Sequence, residues 1–110
     1  MKDSFKRYNK YAIINIRNNL SKKNKELLNK FLLHCGSTAG KSKMLNIERT
    51  MIKTCDVLEC DLDKLNLEKL RSFMNVLKNS DLAPATKNET KKYLKRFIKE
   101  QYENWSKDYS

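Results

Sequence analysis

Glycine and proline are almost missing: this 110-residue sequence holds two glycines and one proline. A sandwich or barrel needs a turn roughly every 8–12 residues, and turns draw on those two residue types, so β architectures are disfavoured. Apolar runs reach only a few residues, far short of the roughly 20 that a membrane-spanning helix requires. The opening Met1-Lys2-Asp3-Ser4-Phe5 lacks the apolar stretch of a secretion signal. Histidine occurs once and cysteine three times. The cysteines, Cys35, Cys55 and Cys60, are odd in number and show no paired spacing, which points to a reducing compartment and a cytoplasmic location. Acidic side chains are also scarce relative to basic ones, 13 against 24, leaving a net charge of +11. Such an excess implies a polyanionic partner, nucleic acid or an acidic membrane surface. The preponderance of lysine and asparagine hints at an A/T-rich coding sequence. That bias would supply Asp and Glu as well, so the surplus of positive charge still calls for an explanation.

What the chain does have is helical periodicity. Phe5, Tyr8, Ala12 and Ile16 recur at helical spacing over residues 3–18, although Ile13-Ile14-Asn15-Ile16 could also extend; a helix is expected. Ser21 is a plausible N-cap for a second helix with the apolar stripe Leu27, Leu28, Phe31, Leu32 and Cys35. Gly36 ends it, and Gly36-Ser37-Thr38-Ala39-Gly40 reads as a loop. A third helix is expected over 42–59, with Met44, Ile47, Met51, Cys55 and Leu58 on one face. Lys43, Asn46, Arg49, Thr50 and Lys53 gather on another. After the acidic connection Glu59-Cys60-Asp61-Leu62-Asp63, Asn66 caps a fourth helix whose stripe is Leu67, Leu70, Phe73, Met74 and Leu77. Pro84 suits the first position of a fifth helix, expected over 85–105, which buries Leu94, Phe97, Ile98, Tyr102 and Trp105.

Charge is unevenly distributed along these segments. Residues 1–53 hold 13 basic and three acidic side chains, residues 54–85 hold four and six, and residues 86–110 hold seven and four. The basic character therefore belongs to the two ends. On the fifth helix Lys87, Lys91, Lys95 and Lys99 repeat every four residues, with Lys92 and Arg96 as a further pair. Like charges at that spacing are mutually destabilising by about 0.2–0.5 kcal/mol a pair, and a phosphate backbone would neutralise them.

Three chemical motifs fail on inspection. Gly36 to Ser42 looks like a phosphate-binding loop but is one residue short between its glycines, and a helix rather than a strand precedes it. His34, Cys35, Cys55 and Cys60 lack the spacing of a zinc site, and Cys35 and Cys55 lie on apolar stripes. Asp61 and Asp63 sit in an exposed-looking loop with no evident partner, as solvated carboxylates most often do. No cofactor, metal or catalytic residue is expected.

A family resemblance rests on Asn24-Lys25-Glu26-Leu27-Leu28, Lys30-Phe31-Leu32, Ala39-Gly40-Lys41-Ser42-Lys43, Asp61-Leu62-Asp63-Lys64-Leu65 and the helix of Glu68. It continues through Ser80-Asp81, Thr86-Lys87, Leu94-Lys95-Arg96-Phe97 and Lys99. In order and spacing, over about residues 20–100, these resemble the N-terminal core-binding domain of archaeal tyrosine recombinases, the Xer-like and phage-type integrases. The resemblance implies a SAM-like helical domain that clamps one side of duplex DNA during DNA integration and recombination. It implies that the helices starting near Ser42 and Ala85 approach the major groove and backbone. Leu82, Ala83, Thr90, Ile98 and Glu100 depart from the pattern, standing where an aromatic, a serine, a tyrosine, a second aromatic and a tryptophan are expected. The family's catalytic arginines, histidines and nucleophilic tyrosine belong to a further domain that this sequence does not contain. Tyr102 and Tyr109 are therefore not assigned that role, and no catalysis is expected of this chain alone.

The expected fold is all-α: a small orthogonal SAM-like bundle of four core helices at residues 21–110, preceded by a helical N-terminal extension at 1–20. The expected partner is double-stranded DNA, with self-association on DNA and no membrane. Lys41, Lys43, Asn46, Arg49, Lys53, Thr86, Lys87, Asn88, Lys91, Lys92, Lys95 and Arg96 are the expected DNA-binding residues. Asn46, Arg49 and Asn88 are the better base readers among them, because amide and guanidinium groups make bidentate contacts. The alternative is a helical protein-interaction module that uses Tyr8, Tyr11, Tyr93 or Trp105.

Overall fold

The computed structural model describes residues 1–5, 8–36 and 40–109, with side chains of the last helix described as far as Gln101. Within them lie five α-helices: α1 (Lys10–Asn18), α2 (Lys22–Gly36), α3 (Lys41–Leu58), α4 (Leu67–Lys78) and α5 (Pro84–Tyr109). A single 3-10 turn, Leu62–Lys64, joins α3 to α4. The fold is a small all-α bundle, and no strand occurs among the described residues. None of the described helices is long and apolar enough to cross a membrane.

Local chemistry starts most of these helices. Asn9 Oδ1 accepts from the Ala12 N–H at 2.7 Å, Ser21 Oγ from Asn24 at 3.1 Å and Asn66 Oδ1 from Lys69 at 2.8 Å. Each such cap satisfies a free N–H of the first turn and contributes about 1 kcal/mol. Pro84 opens α5, where its missing N–H costs nothing. At the far end of α3, Glu59 adopts a left-handed conformation with φ 53° and donates its N–H to the Cys55 carbonyl at 3.1 Å. That geometry turns the chain out of the helix and into the acidic connection.

Helix α3 is the hub, packed against α1, α2, α4 and α5. This explains why its burial exceeds the single expected stripe: Ile52, Thr54 and Val57 are buried alongside Ile47, Met51, Cys55 and Leu58. The Thr54 hydroxyl is satisfied by donating to the Thr50 carbonyl at 2.8 Å. Burial pushes the Cys55 thiol up to about 12, so it stays protonated and acts as a small apolar group. Phe31 of α2 and Phe97 of α5 meet edge to face with centroids 5.3 Å apart beneath this hub.

Two apolar expectations change. Leu67, expected in the buried stripe of α4, is 63% exposed because it is the first residue of the helix, ahead of the turns that reach the core. Tyr93, expected as an exposed contact aromatic, is only 4% exposed. It lies three residues from Thr90 and four from Phe97, both buried, on the inward stripe of α5. The side chains of Tyr102 and Trp105 fall outside the described residues.

The N-terminal extension is helical only from Lys10, not from residue 3. The segment before it runs back across the hub. The Lys2 N–H donates to the Val57 carbonyl at 2.8 Å, and Lys2 Nζ and the Tyr8 hydroxyl reach the Asp56 carboxylate at 2.8 and 2.6 Å. Phe5 packs edge to face on Phe73 of α4 at 5.8 Å. Partners about fifty residues away thus outcompete a local helix. Asn24 does similar work between α2 and the acidic connection. Almost fully buried, it accepts from the Leu62 N–H at 2.7 Å and donates to the Cys60 carbonyl at 3.2 Å.

Candidate nucleic-acid interface

Helices α3 and α5 lie side by side, and Asn46 Nδ2 donates to Glu89 Oε2 across the seam at 3.3 Å. Further along the seam, burial raises the Cys35 thiol, while the Arg96 and Lys43 charges partly offset the rise and Glu100 adds to it. Lys43 of α3 and Arg96 of α5 therefore both act on one thiol at the end of α2. Residues Glu89, Lys92 and Arg96 follow one another at helical spacing along the α3 side of α5, with Lys95 and Asn88 on its outer surface. Tyr93 lies just beneath: its hydroxyl is raised by burial first, then by Glu89 and Cys35, against the lowering effect of Arg96.

The result is a cationic edge with little internal neutralisation. Lys43, Asn88, Lys92 and Lys95 are exposed. Among the described residues no ion pair involves Lys43, Lys92 or Lys95. Arg96 is partly committed: its Nε lies 3.4 Å from Glu100 Oε1, an oxygen that is also 3.0 Å from His34 Nε2.

Other expected residues are distributed differently. Lys87 Nζ donates to the Lys78 carbonyl at 2.9 Å, where a cation complements the C-terminus of α4. Lys91, one turn on, shares that α4 side and is half-buried. The Thr86 carbonyl accepts from the buried Thr90 hydroxyl at 2.8 Å. Lys53 sits 5.8 Å above the Tyr8 ring, a cation–π distance, and so belongs to the N-terminal crossing as much as to the seam. Lys41 and Arg49 lie on the opposite edge of α3: Arg49 borders a groove with Lys10 and Ile14 of α1, and Lys41 one with Leu32 of α2. The structure thus joins α3 and α5 through Asn46 and Glu89, helical spacing puts Lys92 and Arg96 on the same side of α5 with Asn88 and Lys95 on its outer surface, and Lys41 and Arg49 lie on the opposite edge of α3.

Sequence reasoning missed Glu89 as the partner of Asn46, and Lys10 as a neighbour of Arg49. No linear spacing links these pairs, which are 43 and 39 residues apart. It also treated Asp61 and Asp63 as unpartnered. Asp61 accepts from the Ser21 hydroxyl at 2.6 Å, and Asp63 lies 4.0 Å from Lys23 Nζ. The acidic side chains collect at the other end of α3, where Asp56, Glu59 and Asp61 line a cleft of about 460 Å3 with Lys2 and Asn24. Among the described residues no group of His, Cys, Asp and Glu is arranged to hold a metal ion. The Ser37, Thr38 and Ala39 of the glycine-flanked loop lie outside the described residues.

No protein-family model, curated protein or solved structure matches this chain.

Proposed function

We propose that this chain binds duplex DNA along the α3–α5 seam, as a non-catalytic module resembling the clamp domain of a tyrosine recombinase. The observation that carries the reading is the set of exposed Lys43, Lys92 and Lys95, with the Asn46 and Asn88 amides, on the two helices that the Asn46–Glu89 contact joins, with no ion pair among the described residues to neutralise the lysines. A phosphate backbone would bind such a set by releasing counterions, and the amides could reach base edges once the phosphates fix the register. The concentration of acidic residues at the far end of α3 would orient the approach. In this reading the chain contributes grip and placement. Strand cleavage and joining would fall to groups it does not carry.

Fluorescence anisotropy with a labelled duplex over about 50–200 mM salt tests this. The triple variant Lys92→Gln, Lys95→Gln, Arg96→Gln is expected to lower the magnitude of the salt slope by nearly three, about 0.9 for each phosphate that is no longer neutralised. The Lys22→Gln, Lys23→Gln, Lys25→Gln variant has the same net charge and alters a different helix, so it is expected to change the slope far less. Equal losses in the two triples would show that net charge alone drives binding. Failure of the wild type to bind duplex at low salt would end the DNA reading.

A further inference from the structure

The other edge of α3 is built differently. Three grooves meet around Glu48, one between α1 and α3, one between α2 and α3, and one where all three helices join. Their apolar lining includes Ile13, Ile14, Leu32, Met44 and Leu45. Leu45 stands between two of the grooves and is 57% exposed, and Tyr11, which shares a helical face with Ile14, is 80% exposed. Around this apolar ground stand Lys10, Lys25, Lys41 and Arg49. The one carboxylate in the grooves, Glu48, is neutralised by Arg17, whose Nη1 lies 2.8 Å from its Oε1. Lone exposed leucines are ordinary on protein surfaces; a concave apolar patch with a rim of one charge sign marks a docking site.

We propose that this α1–α2–α3 bowl receives an acidic amphipathic helix from a partner protein, on the opposite edge of α3 from the DNA seam. Charge complementarity selects the occupant. The rim is cationic and the centre is apolar with its carboxylate paired, so the matching segment carries leucine-type side chains on one stripe and Asp or Glu beside it. A second copy of this chain fits poorly, because a two-fold contact would set the same four cations against one another. A bilayer fits poorly as well, because the apolar groups line grooves, whereas interfacial insertion needs a face that protrudes. The surface is independent of the DNA reading and stands if that reading fails.

The test uses a fluorescein-labelled synthetic helix of about 18 residues, five turns, with Leu on one stripe and Glu on its flanks. The wild-type chain is expected to bind it. Versions with Ser for Leu, or Lys for Glu, should bind at least about tenfold more weakly, as should the Leu45→Glu variant with the original peptide. Leu45→Ser keeps the net charge and should show a smaller loss in the same direction. Circular dichroism should be unchanged in both variants, since the side chain is largely in solvent. The proposal is overturned if the Leu–Glu peptide does not bind, if the Ser peptide binds equally well, or if Leu45→Ser binds like the wild type with its helicity intact. It is equally overturned if phosphatidylserine vesicles capture the chain in preference to the peptide, or if ultracentrifugation shows a dimer that Leu45→Glu dissolves.

Discussion

Helix α3 turns Lys43 and Asn46 towards α5 on one edge and Leu45 and Glu48 towards α1 and α2 on the other. These residues alternate in sequence, and each step of about 100° around the helix axis sends the next one to a different neighbour. On the first edge α5 adds Lys92, Lys95 and Arg96 to the cations of α3, and few carboxylates oppose them. On the second edge α1 and α2 add Ile13, Ile14 and Leu32, so similar cations become the rim of an apolar surface. A lysine's meaning therefore depends on what the adjoining helix places beside it. The core beneath holds both edges in place.

The largest expected effect comes from that shared support. Phe97→Ala removes the α5 half of the ring pair with Phe31, whose partner side chains are about 1% exposed. It should cost about 3–5 kcal/mol in urea unfolding and impair both edges together. Leu67→Ala, at a solvent-facing leucine, should stay within about 0.5 kcal/mol. A small cost for Phe97→Ala, or loss of one edge without the other, would show that the edges fold as separate units.

How much of this was legible beforehand follows from where each signal resides. The Asn66 cap, the Pro84 start and the stripes of α2 and α3 are local chemistry, and the sequence displays them at the right positions. The crossing of residues 1–5 and Tyr8 is not local: Phe5 and Tyr8 have helical spacing, but their partners are Phe73 and Asp56. Asn24 likewise reads as a helix-surface amide until the 3-10 turn is folded against it. The basic face of α3 was visible as a set. Its division between two edges was not, since periodicity identifies the residues that point away from the core and says nothing of which helices flank them. Tyr93 shows the same limit, for an aromatic among lysines looks exposed until α5 is packed into the bundle.

A smaller effect should separate the edges. Arg17→Ala deletes the partner of Glu48, a pair whose arginine side chain is half in solvent, so the stability loss should be only about 0.2–1 kcal/mol. Its main consequence should be local. An unpaired carboxylate at the centre of the bowl would repel the acidic peptide, while salt-dependent binding of duplex at the α3–α5 seam should change little. Paired titrations with peptide and duplex read this directly. An equal loss in both would mean that Arg17 supports the whole hub through α1.

The smallest expected effect is the matching change on the other edge. Glu89 is a carboxylate set among phosphate-seeking cations, and its partner there is the neutral Asn46 amide, which satisfies an oxygen without cancelling the charge. Glu89→Gln keeps an acceptor for Asn46 Nδ2 and removes one negative charge from the seam. If the seam meets DNA through its phosphates, affinity should rise by roughly twofold at low salt, about 0.4 kcal/mol, and the gain should fade as salt screens the edge. It should be the same for duplexes of any sequence, because phosphates carry no sequence information. A fall in affinity confined to some sequences would have a different physical source, since a carboxylate can accept from the cytosine amino group and a glutamine in its place would weaken that contact. The two edges would then differ in a further respect: the bowl would be selective through shape and charge, and the seam through hydrogen bonds to bases, with Glu89 held in position for them by Asn46.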